Sequence, residues 1–183
     1  MQNVIRVGLV YGSTRAGRFC ETVARWAAGE IAKQAGFVLI TIDPATMQQS
    51  GDDQTLSQRI AECDAFVVVT PEYNHGYPAP LKSLIDSTGL CWQAKPVAFV
   101  SYGGVSGGLR AVEQLRQVFA ELHVVSMRDS VSFASAWEQF DGEGRLRNSE
   151  RAERTIATML ARLRWWAAAL KTARAARPYD LAA

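Results

Sequence analysis

Phe66-Val67-Val68-Val69-Thr70-Pro71-Glu72-Tyr73-Asn74-His75-Gly76-Tyr77-Pro78-Ala79-Pro80-Leu81-Lys82-Ser83-Leu84-Ile85-Asp86 decides the fold of this 183-residue chain. Phe66 to Val69 is a short aromatic and β-branched run. Such a run reads as a strand buried on both faces, the habit of parallel sheets. Pro71 has no amide to donate to a ladder, so it predicts the strand's end. Pro78 and Pro80 preset φ where a helix begins, and Leu81, Leu84 and Ile85 continue it. Between strand and helix lie Glu72, Tyr73, Asn74 and His75, a polar and aromatic cluster. In open α/β sheets, ligands bind beyond the carboxyl ends of strands.

The same alternation extends in both directions. Val4 to Val10 reads as a strand, and Phe19, Val23, Ala27 and Ile31 recur at helical spacing before Gly36. Phe37 to Ile42 is a second strand, Thr55 to Cys63 a short amphipathic helix, and Ala65 to Val69 the third strand. Val97 to Val100 is the fourth strand. Leu109, Val112, Leu115, Phe119 and Leu122 mark a helix, and His123 to Ser126 begins the fifth strand. Asp129 to Arg147 fits neither period and reads as an excursion carrying Trp137 and Phe140, with a turn at Asp141-Gly142-Glu143-Gly144. Ile156, Leu160, Leu163, Ala167 and Leu170 build a closing helix, with Trp166 on its apolar face as a core or interface residue. Strand–helix alternation implies parallel strands and right-handed crossovers. Five strands and five helices predict a flavodoxin-like, doubly wound α/β sheet of order 2-1-3-4-5, with helices on both faces. No composition shift divides residues 1–183, so one domain is expected.

Composition narrows the function. The chain is 48% hydrophobic and 21% charged, ordinary for a globular protein, and its net charge of +2 does not argue for nucleic acid. Cys20, Cys63 and Cys91 have neither zinc nor disulfide spacing, so packing cysteines in a reducing, cytoplasmic compartment are expected. Two histidines do not make a histidine-rich site, and no catalytic metal is expected. No leader is visible, and no apolar run approaches the roughly 18 residues of a membrane span.

Three loops should share one sheet edge. Gly12-Ser13-Thr14-Arg15-Ala16-Gly17-Arg18-Phe19-Cys20 follows a strand and opens a helix, whose free amides and dipole favour an anion. Ser13 and Thr14 add hydroxyls, and Arg15 and Arg18 add guanidinium forks suited to phosphate. The loop lacks both the Gly-Lys-Ser/Thr ending of a P-loop and a G-x-G-x-x-G fingerprint, which favours a mononucleotide phosphate. In the second loop, amides at Glu72 to Asn74 suit the edge of a flat heterocycle, with Tyr73 or Tyr77 to stack on it. The third, Ser101-Tyr102-Gly103-Gly104-Val105-Ser106-Gly107-Gly108, has four glycines in six positions, which allow close backbone approach to a ligand. It also matches the G-x-S-x-G elbow, a rival reading as a serine hydrolase using Ser106. The order of residues opposes that rival: the only later histidine is His123, with only Glu113 and Glu121 between.

Together these motifs resemble the NADPH-dependent FMN reductase family, which includes quinone, azo-dye and chromate reductases. Gly12-Ser13-x-Arg15, then Thr70-Pro71-Glu72-Tyr73-Asn74 with Pro80-Leu81-Lys82 and Ile85-Asp86, then Lys95-Pro96-Val97 with Ser101-Tyr102-Gly103-Gly104, carry the likeness from Val4 to about Phe133. The resemblance implies bound FMN, with phosphate on Ser13, Arg15 and the amides of Arg18, Phe19 and Cys20. It implies isoalloxazine contacts from Pro71, Glu72, Tyr73 and Asn74, and ring or ribityl contacts near Ser101, Gly103 and Gly104. It also implies a homodimer or homotetramer with flavin near the subunit interface. Arg18, Cys20 and Ser83 depart from residues common in relatives.

The expected activity is ping-pong hydride transfer from NADPH or NADH to flavin, then to a small-molecule electron acceptor: a quinone, free flavin, azo compound or metal oxyanion. The flavin carries the chemistry, so no catalytic side chain is expected. The alternatives are a flavodoxin-type electron carrier, disfavoured by the net positive charge, and a flavin-binding regulator without turnover.

Overall fold

The computed structural model describes residues 4–47 and 53–179. Five parallel strands form one sheet in the order β2-β1-β3-β4-β5. They are β1 (Ile5–Tyr11), β2 (Phe37–Ile42), β3 (Ala65–Pro71), β4 (Pro96–Gly103) and β5 (Val125–Ala134). The helices are α1 (Cys20–Ala32), α2 (Pro44–Met47), α3 (Asp53–Glu62), α4 (Ala79–Thr88), α5 (Leu109–Glu121), α6 (Ala136–Gln139) and α7 (Glu150–Ala176), with a 3₁₀ turn at Gly89–Trp92. The expected order and alternation hold.

Every residue of β3 is buried, because the strand is central and helices cover both faces of the sheet. Val67 and Val69 point into a core shared with α1 and α7; Phe66 and Val68 point into one shared with α3, α4 and α5. Trp92 is fully buried in the second core, 4.4 Å from Phe66 and 5.4 Å from Phe119 between ring centroids. Its indole N–H donates to Thr88 Oγ1 at 2.6 Å, satisfying a polar atom that burial would otherwise penalise. Pro78 is the N-cap of α4 and Pro80 lies in its first turn, as the proline pattern predicts.

Four local expectations are corrected or narrowed. β3 runs two residues past Val69 and ends at Pro71, as the missing amide predicts, with Pro71 paired to Tyr102 at the terminus. β5 continues to Ala134, through the first part of the segment expected to be irregular. Its register slips: Val97 pairs with Ser126 but Phe99 with Ser130. The extra residues form a bulge on an edge strand, where polar residues are tolerated and the alternation is lost. Of the core and interface alternatives for Trp166, the core one is excluded: it is 39% exposed beside an exposed Trp165. Arg18, expected to offer a free guanidinium fork, is engaged inside the fold, as described below.

Candidate functional site at the carboxyl edge

β1, β3 and β4 run in register, so their loops emerge together at one edge. The Gly12 amide donates to Val69 O at 2.7 Å, which carries the chain one step beyond β1 before it turns into α1.

In the first loop Ser13 is buried, and its hydroxyl lies 2.8 Å from Tyr73 Oη. Arg15 is exposed, with its guanidinium carbon 3.7 Å from the centre of the Tyr73 ring. One tyrosine thus joins the first loop to the second, and the Arg15 fork faces solvent beside the start of α1. The first amides of α1 have no intrahelical acceptor, as at any helix start. Arg18 behaves differently. Its side chain is only 5% exposed; it holds Asp43 through both terminal nitrogens, one bond at 2.7 Å, and donates to Ser13 O. Hydrogen bonding to Asp43 raises its pKa above the ordinary arginine value despite burial. Arg18 therefore braces the loop against the end of β2, and its own amide donates to Arg15 O at 3.2 Å. Cys20 is fully buried and its thiol donates to Val69 O at 3.6 Å; burial pushes its pKa up.

The second loop is a tight turn. Tyr73 N donates to Gly76 O at 2.9 Å and Gly76 N to Tyr73 O at 3.0 Å, with positive φ at Asn74 (50°) and His75 (69°). That is a type I′ arrangement, which asparagine tolerates well. The Glu72 amide donates to Tyr102 O at 3.1 Å. The amides of Glu72 and Tyr73, expected to meet a heterocycle, are engaged within the protein, and Asn74 stands exposed at the tip. Neither tyrosine is a free stacking platform: Tyr73 lies under Arg15, and Tyr77 packs against the core below α4.

The third loop divides into two halves. Gly107 (φ 60°) and Gly108 (φ 84°) are required by the fold. A Cβ on Gly107 would lie 2.2 Å from Ser132 Oγ, and one on Gly108 within 2.9 Å of the Tyr102 backbone. Ser101, fully buried, donates its hydroxyl to Gly107 O at 2.8 Å, and Ser132 does the same at 2.9 Å. The Ser101 side chain therefore supports the loop from beneath. Gly103 and Gly104 are less crowded: a Cβ on Gly103 would make ordinary contacts with Gly108 N at 3.4 Å and Glu72 Cβ at 3.6 Å, and Gly104 is open. A Cβ on Gly104 would find nothing nearer than the Trp137 ring at 3.9 Å.

The sequence reading missed three contributors. Asp43 anchors Arg18. Trp137, 61% exposed, flanks Gly104. Arg110 covers Glu72, donating from Nε to Oε1 at 2.6 Å. No local signal marks these residues as partners, since the contacts span 25 to 38 positions of sequence.

The hydrolase alternative lacks its geometry. Ser106 Oγ donates to Glu72 Oε2 at 2.8 Å, whereas His123 precedes β5 at the opposite edge and meets Tyr179 Oη at 3.0 Å. Among the described residues no cluster of three or more His, Cys, Asp or Glu could hold a metal.

The donor set fits a flavin mononucleotide. An exposed arginine and a helix start suit a phosphate, and the uncrowded backbone at Gly103–Gly104 beside the Asn74 turn suits a flat ring.

A family profile described as NADPH-dependent FMN reductase matches residues 5–138. A probable NADPH:quinone oxidoreductase 1 of Oryza sativa subsp. japonica is 31% identical over 179 residues, covering 86% of this chain and 90% of that protein. An NAD(P)H-dependent FMN reductase of Schizosaccharomyces pombe is 34% identical over 134 residues; the match covers 62% of this chain and 64% of that protein. Among solved structures, a flavoenzyme NAD(P)H:(acceptor) oxidoreductase from Paracoccus denitrificans superposes with a TM-score of 0.72 at 20% identity, covering 89% of this chain and 97% of that one. At that identity the likeness establishes the fold.

Proposed function

The chain belongs to the NADPH-dependent FMN reductase family, and from that premise we propose that it holds FMN across its three carboxyl-edge loops and reduces a small acceptor of the quinone class. It is an oxidoreductase using FMN with NAD(P)H as reductant. Bound FMN would supply the redox chemistry, hydride acceptance from the nicotinamide and its onward transfer to the acceptor.

The chain's own residues bind and orient. Arg15, the Ser13 segment and the amides of Phe19 and Cys20 hold the phosphate, the Arg18 amide being turned to Arg15 O. The Pro71–Asn74 turn and the backbone of Gly103 and Gly104 flank the ring, with Ser101 shaping that backbone from below. The observation that carries this reading is the coupling of the loops. Ser13 meets Tyr73 at 2.8 Å, and Glu72 meets Ser106 at 2.8 Å, so all three form one bounded edge.

Donor and acceptor take turns at one face in this proposal, because the described residues contain no second nucleotide-type loop. We further assign the chain one working domain, a cytoplasmic setting suited to its three free cysteines, and a homodimeric or homotetrameric state. α4 and α5 start beside the flavin loops, and Val105 (90% exposed) and Leu109 offer apolar surface there for a two-fold neighbour.

The test is the absorption spectrum of the purified protein, followed by steady-state NADPH and NADH oxidation with quinone, flavin, azo and metal-oxyanion acceptors. A flavin spectrum and parallel double-reciprocal lines are expected. Intersecting lines would defeat the shared face, and a fully active monomer in sedimentation velocity would defeat the assembly. A flavin spectrum without NAD(P)H turnover would favour an electron carrier.

A further inference from the structure

Glu72 has more internal partners than a turn residue needs. Its side chain is 5% exposed. Oε2 accepts the Ser106 hydroxyl at 2.8 Å and the Arg110 amide at 3.1 Å, and Oε1 accepts Arg110 Nε at 2.6 Å. Its own amide is tied to Tyr102 O. α5 follows Gly108, which has no side chain to cap the helix, so Glu72 serves as an acidic cap from another loop. Capping alone does not account for it, because a serine or aspartate at the helix start would do so without burying a carboxylate. Burial by itself would raise the Glu72 pKa. The Ser106 hydrogen bond and the Arg110 hydrogen bond and charge outweigh that, and the carboxyl is held below the ordinary glutamate value.

Two consequences follow from the placement. The clamp joins the Pro71–Gly76 turn to the Gly103–Gly108 loop, so the two ring-facing segments move together. It also places a buried negative charge, covered by a half-exposed positive one, next to the backbone that faces the ring. The Glu72 Cβ lies 3.6 Å from where a Gly103 Cβ would be.

We infer that Glu72 is a positioning residue and Arg110 its counter-ion, and that this pair sets both the gap between the two loops and the electrostatic field at the flavin ring. The inference rests on the flavin reading above. A negative charge near the ring disfavours the added electrons of the reduced state, and a positive charge favours them.

The test compares wild type, Glu72→Gln and Arg110→Gln, each loaded with FMN, by dye-equilibrated reductive titration and by fluorescence titration of the apoprotein. Gln at 72 keeps an oxygen to accept the Ser106 hydroxyl while removing the charge. The flavin midpoint potential should rise in Glu72→Gln and fall in Arg110→Gln, and each variant should bind FMN several-fold to tenfold more weakly. Opposite shifts are the signature, since loosening of the loop alone has no reason to reverse sign with the charge removed. Equal potentials in all three proteins, or shifts in one direction, would overturn the inference. Should Glu72→Gln fail to fold, a wild-type potential in Arg110→Gln overturns it and a fall upholds it. Failure of the wild-type apoprotein to bind FMN would overturn the flavin reading itself, and that is read before any variant is compared.

Discussion

The two edges of the sheet use charged residues in opposite ways. At the amino edge, Lys95 is buried and donates to Ile60 O and Ala61 O, both at 2.9 Å. Asp64 accepts the Arg6 amide at 2.9 Å and Lys171 at 2.9 Å, with Arg174 3.8 Å away. Lys171 also reaches Val4 O at 3.0 Å. These groups close the end of the barrel-less sheet against α3 and α7. At the carboxyl edge Arg18 is held by Asp43 and Glu72 by Arg110, but Arg15 rests on a tyrosine face in solvent and Gly104 borders open space. Both edges are rich in cations, so residue type alone does not distinguish a structural end from a binding end. What distinguishes them is whether the polar atoms already have partners.

Four experiments would break or sharpen that contrast. The largest effect is expected within the glycine loop, where both kinds of region meet. Gly108→Ala places a Cβ against the Tyr102 backbone at positive φ, and should cost roughly 2–5 kcal/mol in urea unfolding. Gly104→Ala, a few residues away, should change stability by less than about 0.5 kcal/mol and instead weaken FMN binding. Equal losses of stability would erase the division between supporting and open halves.

Arg15→Ala should weaken FMN by roughly ten- to a hundredfold, about 1.5–3 kcal/mol, by fluorescence titration. An unchanged dissociation constant would remove Arg15 from the phosphate site.

At the amino edge the expected effect is on stability against pH. Burial, aided by the charge of Arg174, pushes Lys95 from the ordinary 10.5 down to about 8. Between those values the unfolded chain binds the proton more readily, so stability should rise as pH increases from about 8 to about 10.5. Lys95→Met should flatten that rise in thermal melts, relative to wild type, with FMN affinity unchanged. A rise of equal size in the variant would assign the slope to other groups.

The smallest effect is expected at Ser106. Ser106→Ala removes one hydrogen bond to Glu72 and one from the Gly108 amide, worth about 0.5–1.5 kcal/mol of stability. A fluorophosphonate should not label the wild-type serine; labelling at Ser106 would restore the nucleophile reading.

Much of the architecture was legible because its causes are local. β3 is buried throughout and almost wholly apolar since it is central, and the α4 prolines act on their own φ. β5 was misread past Ser126 because an edge strand with a bulge need not alternate. The Arg18 fork was misassigned because its partner, Asp43, lies 25 residues away and no periodicity links them. Gly107 and Gly108 looked like ligand-approach glycines. Their reason is the backbone of β4 and the hydroxyl of Ser132, which a linear reading cannot place beside them.

The sequence by itself determined the layer order, the edge at which the loops gather, and the chemistry available there, because strand burial, proline placement and glycine content act over a few residues. The tertiary structure decided which of those loop groups remain available. Arg15 is open while Arg18 is engaged, Gly104 is open while Gly108 is packed, and Glu72 turns from a ring contact into the clamp between loops. Those outcomes depend on which side chains the fold brings within hydrogen-bond distance, and distance in space is not written in the spacing of residues along the chain.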